Sequence, residues 1–470
     1  MFNDYIDLQK QEMINNLFEL ISIPSIAGIP KEGKPYGEEI NNALEFAVRL
    51  AKKMGFKAKN LGTCAEIIYG GDKKSKPGKV YIAGHLDVVP AGDGWTGDPW
   101  QATIRNGKIY GRGVLDDKGP SIAVLYALKA LKSLGYTPKK EIRLILGGDE
   151  EQGMSDIKEY VEKHGLPEYG LTPDSSFPIV NAEAGVIFAK YNFTAVEEKG
   201  NVKFKGLQGG NAFNCVPDLC RAVLSFTDDN ASEVLRIVTQ IEKDFNVEYN
   251  FTKHHLSIET MGVSAHGSVP DEGKNAIFEM IKFIKIILDK TESSNSYIDF
   301  LTTYFVDDTK GKTLDIAYKD EHLGDLSINA GIGEYISAES IASISMDIRT
   351  PVTIDTSIII KKLEETAKKE NVDFEFVKED KSTFMPKESE FLQKLAVAYE
   401  KITKKKAEFL SCRGATYAKA FQNRGVAFGP IDEADPSQGG GMHGKDEYLD
   451  VEAFMNIAKI YAQAIYELWV

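Results

Sequence analysis

The spacing of apolar positions changes along the chain and predicts where the fold changes. In the first third, short apolar runs end in glycine or acidic residues, as in AEIIYGG, GKVYIAGHLD and EIRLILGGDEE. Runs without alternation are typical of strands buried on both faces, as in a parallel sheet. The stretch KGPSIAVLYALKALKSLG lies between the last two runs and has helical spacing, with proline near its start and glycine past its end. This order predicts an α/β layered domain.

The pattern divides the chain into three segments. Two helices are predicted before the first strand, the second ending at Gly55. From about residue 184, alternating strands and helices such as VIFAKYNFTAV and GKNAIFEMIKFIKIIL indicate an α+β unit, and from about residue 387 the α/β style returns. We therefore predict one discontinuous α/β domain, 1–183 and 387–470, with a second domain inserted over 184–386.

Composition narrows the classes of function. A net charge of −14 argues against nucleic acid as a partner, since phosphate binding needs basic patches. No run of about 18 apolar residues is present, so no membrane span is predicted. Four cysteines without a Cys-x-x-Cys pair, and the lack of a secretory signal, favour a reducing cytoplasm.

Candidate chemistry gathers where the predicted strands end. In open α/β sheets, ligands bind outside the carboxyl ends of the strands. The polar residues at such places are His85, Asp87, Asp116, Asp117, Glu150, Glu151, Asp174 and His443.

The pair His85 and Asp87 fits a metal ligand with its orienting acid. Residues two apart on a strand point to the same side. A metal-bound imidazole normally donates its second N–H to a carboxylate, which fixes the tautomer. The alternative for His85 is an ordinary surface histidine, and the alternative for the acidic pair Asp116–Asp117 is a solvated turn or a helix cap.

The adjacent acids Glu150 and Glu151 are harder to explain without a cation. Carboxylates crowded at a desolvated place repel, and one of them would have to take up a proton. A divalent cation relieves the repulsion by pairing with one carboxylate and leaves its neighbour free to transfer protons. Imidazole and carboxylate ligands together suit zinc, manganese or cobalt, and two histidines with three carboxylates suit two such ions.

Five motifs resemble, in order and spacing, the metal-site motifs of the aminoacylase–carnosinase family of di-metal peptidases: GHLDVVP, GRGVLDDKGP, GGDEEQG, TPDSSFP and GMHGKDE. The closest group looks like the PepV-type bacterial dipeptidases. The resemblance covers almost the whole chain. It implies a mixed-sheet, zinc-peptidase-like catalytic domain with an inserted α+β lid.

The resemblance also implies the ligands of two metal ions. His85 and Asp174 would hold the first ion, Glu151 and His443 the second, and Asp116 would bridge them. Zinc is the first expectation, with manganese and cobalt as alternatives. The family has a cis peptide bond after the bridging aspartate.

Further roles follow from the same resemblance. Glu150 would be the general base and acid that acts on a metal-bridging hydroxide, and Asp87 would orient His85. In the inserted domain, SAHGSVPDEGKNA resembles the lid histidine motif, so His266 would polarise the substrate carbonyl. Asn214 and Arg349 occupy substrate-anchoring positions, and arginine is suited to gripping a carboxylate.

The expected function is hydrolysis of dipeptides, or of short peptides with a free amino terminus, by a cytoplasmic monomer. Two alternatives stay open. The same metal site would serve an N-acyl amino acid deacylase or a succinyl-diaminopimelate desuccinylase. A non-catalytic metal-binding protein with this fold is the other alternative, although the presence of Glu150 speaks against it.

Overall fold

The computed structural model describes residues 2–71 and 78–470 of the chain. They form two compact units, one from Met1–Ala182 and Thr383–Val470, the other from Glu183–Ser382. The second unit is thus an insertion in the first. Its bounds differ by one residue at the start and four at the end from the expected 184–386.

Within the described ranges the chain forms eleven α-helices. They are α1 Phe2–Leu8, α2 Lys10–Ile21, α3 Glu38–Lys53, α4 Lys118–Ser133, α5 Ser155–His164, α6 Asp228–Ile241, α7 Ala276–Lys290, α8 Ser296–Tyr304, α9 Thr356–Glu370, α10 Glu390–Thr403 and α11 Val451–Trp469. Residues Tyr417–Arg424 form a 3₁₀ helix with a kink at Gln422 and Asn423.

The strands of the first unit are β1 Lys57–Asn60, β2 Cys64–Tyr69, β3 Lys79–His85, β4 Thr103–Arg105, β5 Lys108–Tyr110, β6 Glu141–Gly147, β7 Tyr169–Thr172, β8 Ser175–Phe177, β9 Ile179–Glu183, β22 Thr383–Phe384, β23 Phe409–Cys412, β24 Gly425–Ala427, β25 Pro430–Asp432, β26 Gly439–Gly440 and β27 Tyr448–Asp450. Those of the second unit are β10 Gly185–Asn192, β11 Glu198–Lys199, β12 Lys203–Gly209, β13 Leu219–Ser225, β14 Val247–Phe251, β15 His255–Met261, β16 Ser294–Asn295, β17 Lys319–Asp320, β18 Gly324–Asp325, β19 Ser327–Ile336, β20 Ile341–Thr350 and β21 Asp373–Asp380.

The large sheet of the first unit is mixed, which confirms the α/β class. Its strand order is β1-β2-β6-β3-β7-β24-β9-β22, and β23 also pairs with β9. Strand β3 runs parallel to both β6 and β7, and β7 runs parallel to β24. Strand β2, expected to be parallel, is instead antiparallel to β6. A strand that is buried on both faces has the same apolar run whether it pairs in a parallel or an antiparallel direction, so the sequence pattern could not distinguish the two.

The parallel core of this sheet puts several chain ends at one edge. His85, the last residue of β3, lies opposite Gly147, the last residue of β6. A smaller four-stranded sheet pairs Tyr110 of β5 with Tyr448 of β27. The loop from β5 to α4 and the loop from β26 to β27 are thereby held side by side. These loops carry Asp116 and His443.

Helices α4 and α11 pack against each other in the main core. Pro120 is the third residue of α4, where its missing N–H costs nothing, and Gly135 follows the helix with φ of 81°. Three helices rather than the predicted two precede the first strand, because the first predicted helix is divided into α1 and α2.

The second unit contains an eight-stranded sheet in the order β14-β15-β13-β12-β19-β20-β10-β21, with every neighbouring pair antiparallel. Helix α7 packs on β13 and β15 and belongs to this unit's own hydrophobic core. Among the described residues, no helix combines the length and apolarity that crossing a membrane requires.

Candidate metal centre

The carboxylate of Asp116 lies between two imidazoles. Its Oδ1 is 2.9 Å from Nε2 of His85, and its Oδ2 is 3.0 Å from Nε2 of His443. Asp116 is in the loop before α4, and the peptide bond that joins it to Asp117 is cis, as the resemblance implies. Each oxygen of one carboxylate therefore faces a different histidine.

Each histidine has a second carboxylate beside it. Nε2 of His85 is 3.8 Å from Oδ2 of Asp174, and Nε2 of His443 is 3.1 Å from Oε2 of Glu151. This gives two groups of three donors that share Asp116, and in each group the donor atoms lie within 4.8 Å of one another. Zinc bonds of 2.0–2.2 Å put two donors at most about 4.4 Å apart. All four of the measured histidine–carboxylate distances fit that limit.

The hydrogen bond at Nδ1 of His85 makes Nε2 the nitrogen that can bind a metal ion. Nδ1 is 3.0 Å from the main-chain oxygen of Asp87, which can only accept, so in the neutral ring Nδ1 carries the proton. Nε2 then has a lone pair that points at the carboxylates. The sequence predicts that the Asp87 side chain orients His85, and Oδ1 of Asp87 is 3.3 Å from the same nitrogen.

The neighbouring charges of this centre shift the pKa values of its residues. Burial acts to lower the pKa of His85, but its hydrogen bonds to Asp116 and Asp87 raise that pKa well above the usual value. Hydrogen bonds to Asp116 and Glu151 raise the pKa of His443 to about 10. Burial acts to raise the pKa of Asp116, yet the two histidines lower it. The carboxylates thus stabilise positive charge at both histidine positions.

The pKa of Glu150 is shifted in the direction that favours the neutral carboxyl group. Its half-buried carboxyl group follows β6 and lies among other acids. Burial, followed by the charges of Asp174, Glu151 and Asp116, raises the pKa of Glu150 well above the usual value, and His85 opposes them. Crowded acids that favour protonation are the environment the sequence predicts for a carboxylate that exchanges protons.

Two residues that the sequence did not single out hold the turn that bears Glu150. Oδ2 of Asp156 accepts the N–H groups of Gly148 (2.7 Å) and Asp149 (3.1 Å). The buried phenol of Tyr417 donates to the same oxygen. Asp156 follows the motif by only a few residues, but Tyr417 is 261 positions away, and no local pattern indicates their contact.

Packing explains why the first residue of GGDEEQG is glycine. A Cβ atom on Gly147 would lie 2.0 Å from the Tyr417 hydroxyl and 2.2 Å from Oδ2 of Asp156.

Asp149, which had no predicted role, accepts hydrogen bonds from the backbone N–H (3.0 Å) and hydroxyl (2.6 Å) of Ser155 at the start of α5.

Within the second unit, the predicted substrate residues His266 and Asn214 are neighbours. The Gly267 N–H donates to the Asn214 carbonyl at 2.7 Å. The Asn329 side chain, buried in the sheet, donates at 2.9 Å to the carbonyls of Phe213 and Cys215 on either side of Asn214.

Arg349 is anchored in the same region. Its Nε and Nη2 donate to the two carboxylate oxygens of buried Asp347 at 2.8 Å each. A Cβ atom on Gly267 would lie 2.8 Å from Asp347 Oδ2 and 2.9 Å from the Asn214 Cα. The three predicted substrate residues of this unit therefore share one small neighbourhood.

Comparison with known proteins defines the class. Residues 81–467 match the family described as Peptidase family M20/M25/M40, and the chain belongs to that family. It is therefore a peptidase of a metal-dependent family, as the sequence predicts.

Two relatives span nearly the whole chain. YtjP of Bacillus subtilis strain 168, which carries a provisional dipeptidase name, is 34% identical over 466 residues, 98% of each chain. The Beta-Ala-Xaa dipeptidase of Lactobacillus delbrueckii subsp. lactis is 32% identical over 475 residues, 99% of this chain and 98% of its own. The fold resembles that of human carnosine dipeptidase 1, with a TM-score of 0.57 at 19% identity over 99% of this chain and 98% of that one.

Proposed function

We propose that this peptidase hydrolyses dipeptides, and short peptides with a free amino terminus, at a centre that holds two divalent metal ions. The observation that carries the proposal is the shared carboxylate of Asp116, whose two oxygens each face one histidine. The dipeptidase names of relatives that match the chain end to end support the substrate class. We also propose that the chain belongs to the PepV-type group, which its five metal-site motifs resemble.

The ligand roles follow from the two donor groups. His85 and Asp174 would hold one ion, His443 and Glu151 the other, with Asp116 shared. When bound, the ions supply Lewis acidity, which lowers the pKa of a water molecule and polarises the scissile carbonyl. Zinc is our first choice because its usual ligands are imidazole and carboxylate, and manganese and cobalt tolerate the same set.

The protein's own groups would move the proton and hold the charge. Glu150 takes the proton of the attacking water and delivers it to the leaving amine. Nδ1 of His266 accepts the Ser268 N–H at 3.2 Å, so the neutral ring carries its proton on Nε2. That N–H suits His266 for donation to the developing oxyanion.

Binding of the substrate termini is the proposed role of the remaining residues. Arg349 would grip the terminal carboxylate, and Asn214 would anchor the substrate beside it. Gripping both ends at once would limit substrate length, so we propose that the inserted unit acts as a lid. We also propose that the protein is a monomer. All four cysteines are free thiols, which supports a cytoplasmic location.

The decisive experiment compares substrate classes on one preparation. The metal-free protein is reconstituted with Zn²⁺, Mn²⁺ or Co²⁺ and assayed with α- and β-alanyl dipeptides, N-acetyl amino acids and N-succinyl-diaminopimelate. We expect turnover of dipeptides and little of the acylated compounds. Turnover of the acylated compounds alone would establish the deacylase alternative.

A single substitution separates catalysis from metal binding. Glu150→Gln should retain two metal ions and lose at least about 100-fold in kcat, because a general base contributes on that order. Glu159→Gln is the matched control, since Glu159 is a glutamate of helix α5 whose side chain is 42% exposed and pairs with Lys163. Full turnover by Glu150→Gln would remove this residue as the base, and absence of metal binding in the wild type would remove the proposed function.

A further inference from the structure

Two residues of the metal-site motifs have no role in the chemistry and yet form a buried ion pair. Arg112 belongs to GRGVLDDKGP and Glu447 to GMHGKDE. Their side chains are 1% and 0% exposed, and Nη1 of Arg112 is 2.7 Å from Oε2 of Glu447. The contact joins parts of the chain 335 positions apart.

The carboxylate of Glu447 fills the concave side of the loop that ends at Asp116. Oε1 accepts the N–H groups of Leu115 at 2.8 Å and of Asp116 at 3.1 Å. The Gly113 N–H is within 3.1 Å of both oxygens. Three backbone donors thus converge on one carboxylate, and one of them belongs to the candidate bridging ligand itself.

The guanidinium of Arg112 extends the connection to two other loops. Nη2 donates to the carbonyl of Gly444 at 2.9 Å, next to His443, and lies 3.4 Å from the carbonyls of Pro90 and Ala91. Those two residues follow Asp87 by three and four positions. The ion pair therefore joins the loop of Asp116 to the loop of His443 and to the loop that leaves His85 and Asp87.

The cost of burying this pair indicates a role beyond general stability. Desolvation of two charges offsets much of their attraction, so apolar side chains would serve equally well if stability alone mattered. An apolar pair could not bind three backbone N–H groups and three carbonyls in three different loops. Residues that orient metal ligands typically change metal affinity by about 10–100-fold when replaced.

We propose that Arg112 and Glu447 are positioning residues that set the separation between Asp116 and His443, and with it the binding of both metal ions. The inference rests on the proposed two-metal centre. It assigns neither residue a contact with the substrate or with the reacting atoms.

The test is a metal titration that needs no turnover. Metal-free wild type, Glu447→Gln and Arg112→Lys are titrated with Zn²⁺ in competition with a chromophoric chelator, and Co²⁺ spectra report the ligand geometry. Glu447→Gln replaces a carboxylate oxygen by an amide group that donates, although the backbone N–H groups around it need an acceptor. Arg112→Lys keeps the positive charge but loses the planar guanidinium that also donates to Gly444. We expect both variants to bind metal at least about tenfold more weakly, with altered Co²⁺ spectra.

A second buried ion pair in the same unit provides the control. Glu66 of β2 and Arg143 of β6 are 2.8 Å apart, with side chains 7% and 11% exposed, and they lie within strands rather than in the ligand loops. Glu66→Gln should lower the thermal midpoint of the metal-free protein while leaving metal affinity within about twofold of the wild type. The thermal midpoint of every variant is measured without metal, so a loss of folding is separated from a loss of affinity.

The outcomes are distinct. Wild-type metal affinity in Glu447→Gln or in Arg112→Lys overturns the inference, as does an equal loss of affinity in Glu66→Gln. If Glu447→Gln does not fold, Arg112→Lys alone decides. If the wild type itself does not bind two ions, the proposed function fails instead.

Discussion

Asp87 connects the two candidate metal positions through Glu151. Oδ2 of Asp87 accepts the backbone N–H of Glu151 at 3.1 Å, while its main-chain oxygen lies 3.0 Å from Nδ1 of His85. Asp87 therefore contacts one ligand from each group of three. The sequence predicts only its contact with His85.

This dual contact predicts different losses for two substitutions of Asp87. Asp87→Asn keeps an acceptor for the Glu151 N–H and removes the charge, whereas Asp87→Ala leaves that N–H without a partner. We expect kcat/KM to fall by about 10–100-fold in Asp87→Asn and further in Asp87→Ala, with metal affinity falling in parallel. Steady-state kinetics and metal titration measure both. Equal losses in the two variants would mean that the contact with Glu151 is unimportant.

Gly147 provides a test of how the Glu150 turn is held. Since a Cβ atom there would overlap the Tyr417 hydroxyl and Asp156, Gly147→Ala must displace one of them. We expect a loss of about 1–3 kcal/mol in the free energy of unfolding, together with reduced turnover. Denaturant unfolding and activity assays measure the two effects.

Gly153→Ala is the control for that substitution. A Cβ atom on Gly153 would lie 3.5 Å from its nearest neighbour, Asp149 Oδ2, which is an ordinary contact. This variant should retain stability and turnover close to those of the wild type. A harmless Gly147→Ala would show that the turn does not depend on the packing of Tyr417 and Asp156.

The sequence predicts which residues gather and misses what holds them. The strands that end in His85 and Gly147 are separated in the chain by helix α4, the crossover that a parallel pair needs, so the loops that follow them meet at one edge. This order of strand, helix and strand can be read from the spacing of apolar residues. The contact between Tyr417 and Asp156 depends on packing between distant segments, which leaves no periodic signal. The direction of β2 was missed for a related reason, because pairing direction does not alter which residues are buried.

Acid sensitivity of the second unit should depend on Asp320. Oδ1 of Asp320 accepts the N–H groups of His322 (3.0 Å) and Leu323 (2.8 Å), and Oδ2 accepts those of Val352 (2.9 Å) and Thr353 (3.2 Å). Burial acts to raise the pKa of Asp320, but these backbone hydrogen bonds lower it. The carboxylate joins the β17–β18 turn to the loop after β20.

The sign of the pH effect follows from this lowered pKa. An aspartate has a pKa of about 3.9 in the unfolded chain, so the stabilisation is complete above that value and is lost as pH falls through the lower folded pKa. Asp320→Asn should lower the free energy of unfolding by about 1–2 kcal/mol at pH 7. Between about pH 4 and pH 2, the free energy of unfolding of this variant should fall less than that of the wild type. Urea unfolding across this range measures both, with Asp315→Asn, whose side chain is 90% exposed, as the control. Parallel pH curves for wild type and Asp320→Asn would exclude the carboxylate as the cause.

The proposed role of Arg349 in binding the substrate carboxylate predicts that a substitution there changes KM. Its guanidinium is fixed by two hydrogen bonds to Asp347, which orients a planar fork that a lysine cannot reproduce. For Arg349→Lys we expect KM for a dipeptide to rise at least about tenfold with a smaller change in kcat, because bidentate contacts to a carboxylate are lost. The preference of the wild type for a dipeptide over its C-terminal amide should also disappear. Arg221→Lys is the matched control, since Arg221 is an exposed arginine of the same sheet that pairs with Glu259. An unchanged KM together with an unchanged preference would show that Arg349 has a structural role and that the substrate carboxylate is held elsewhere.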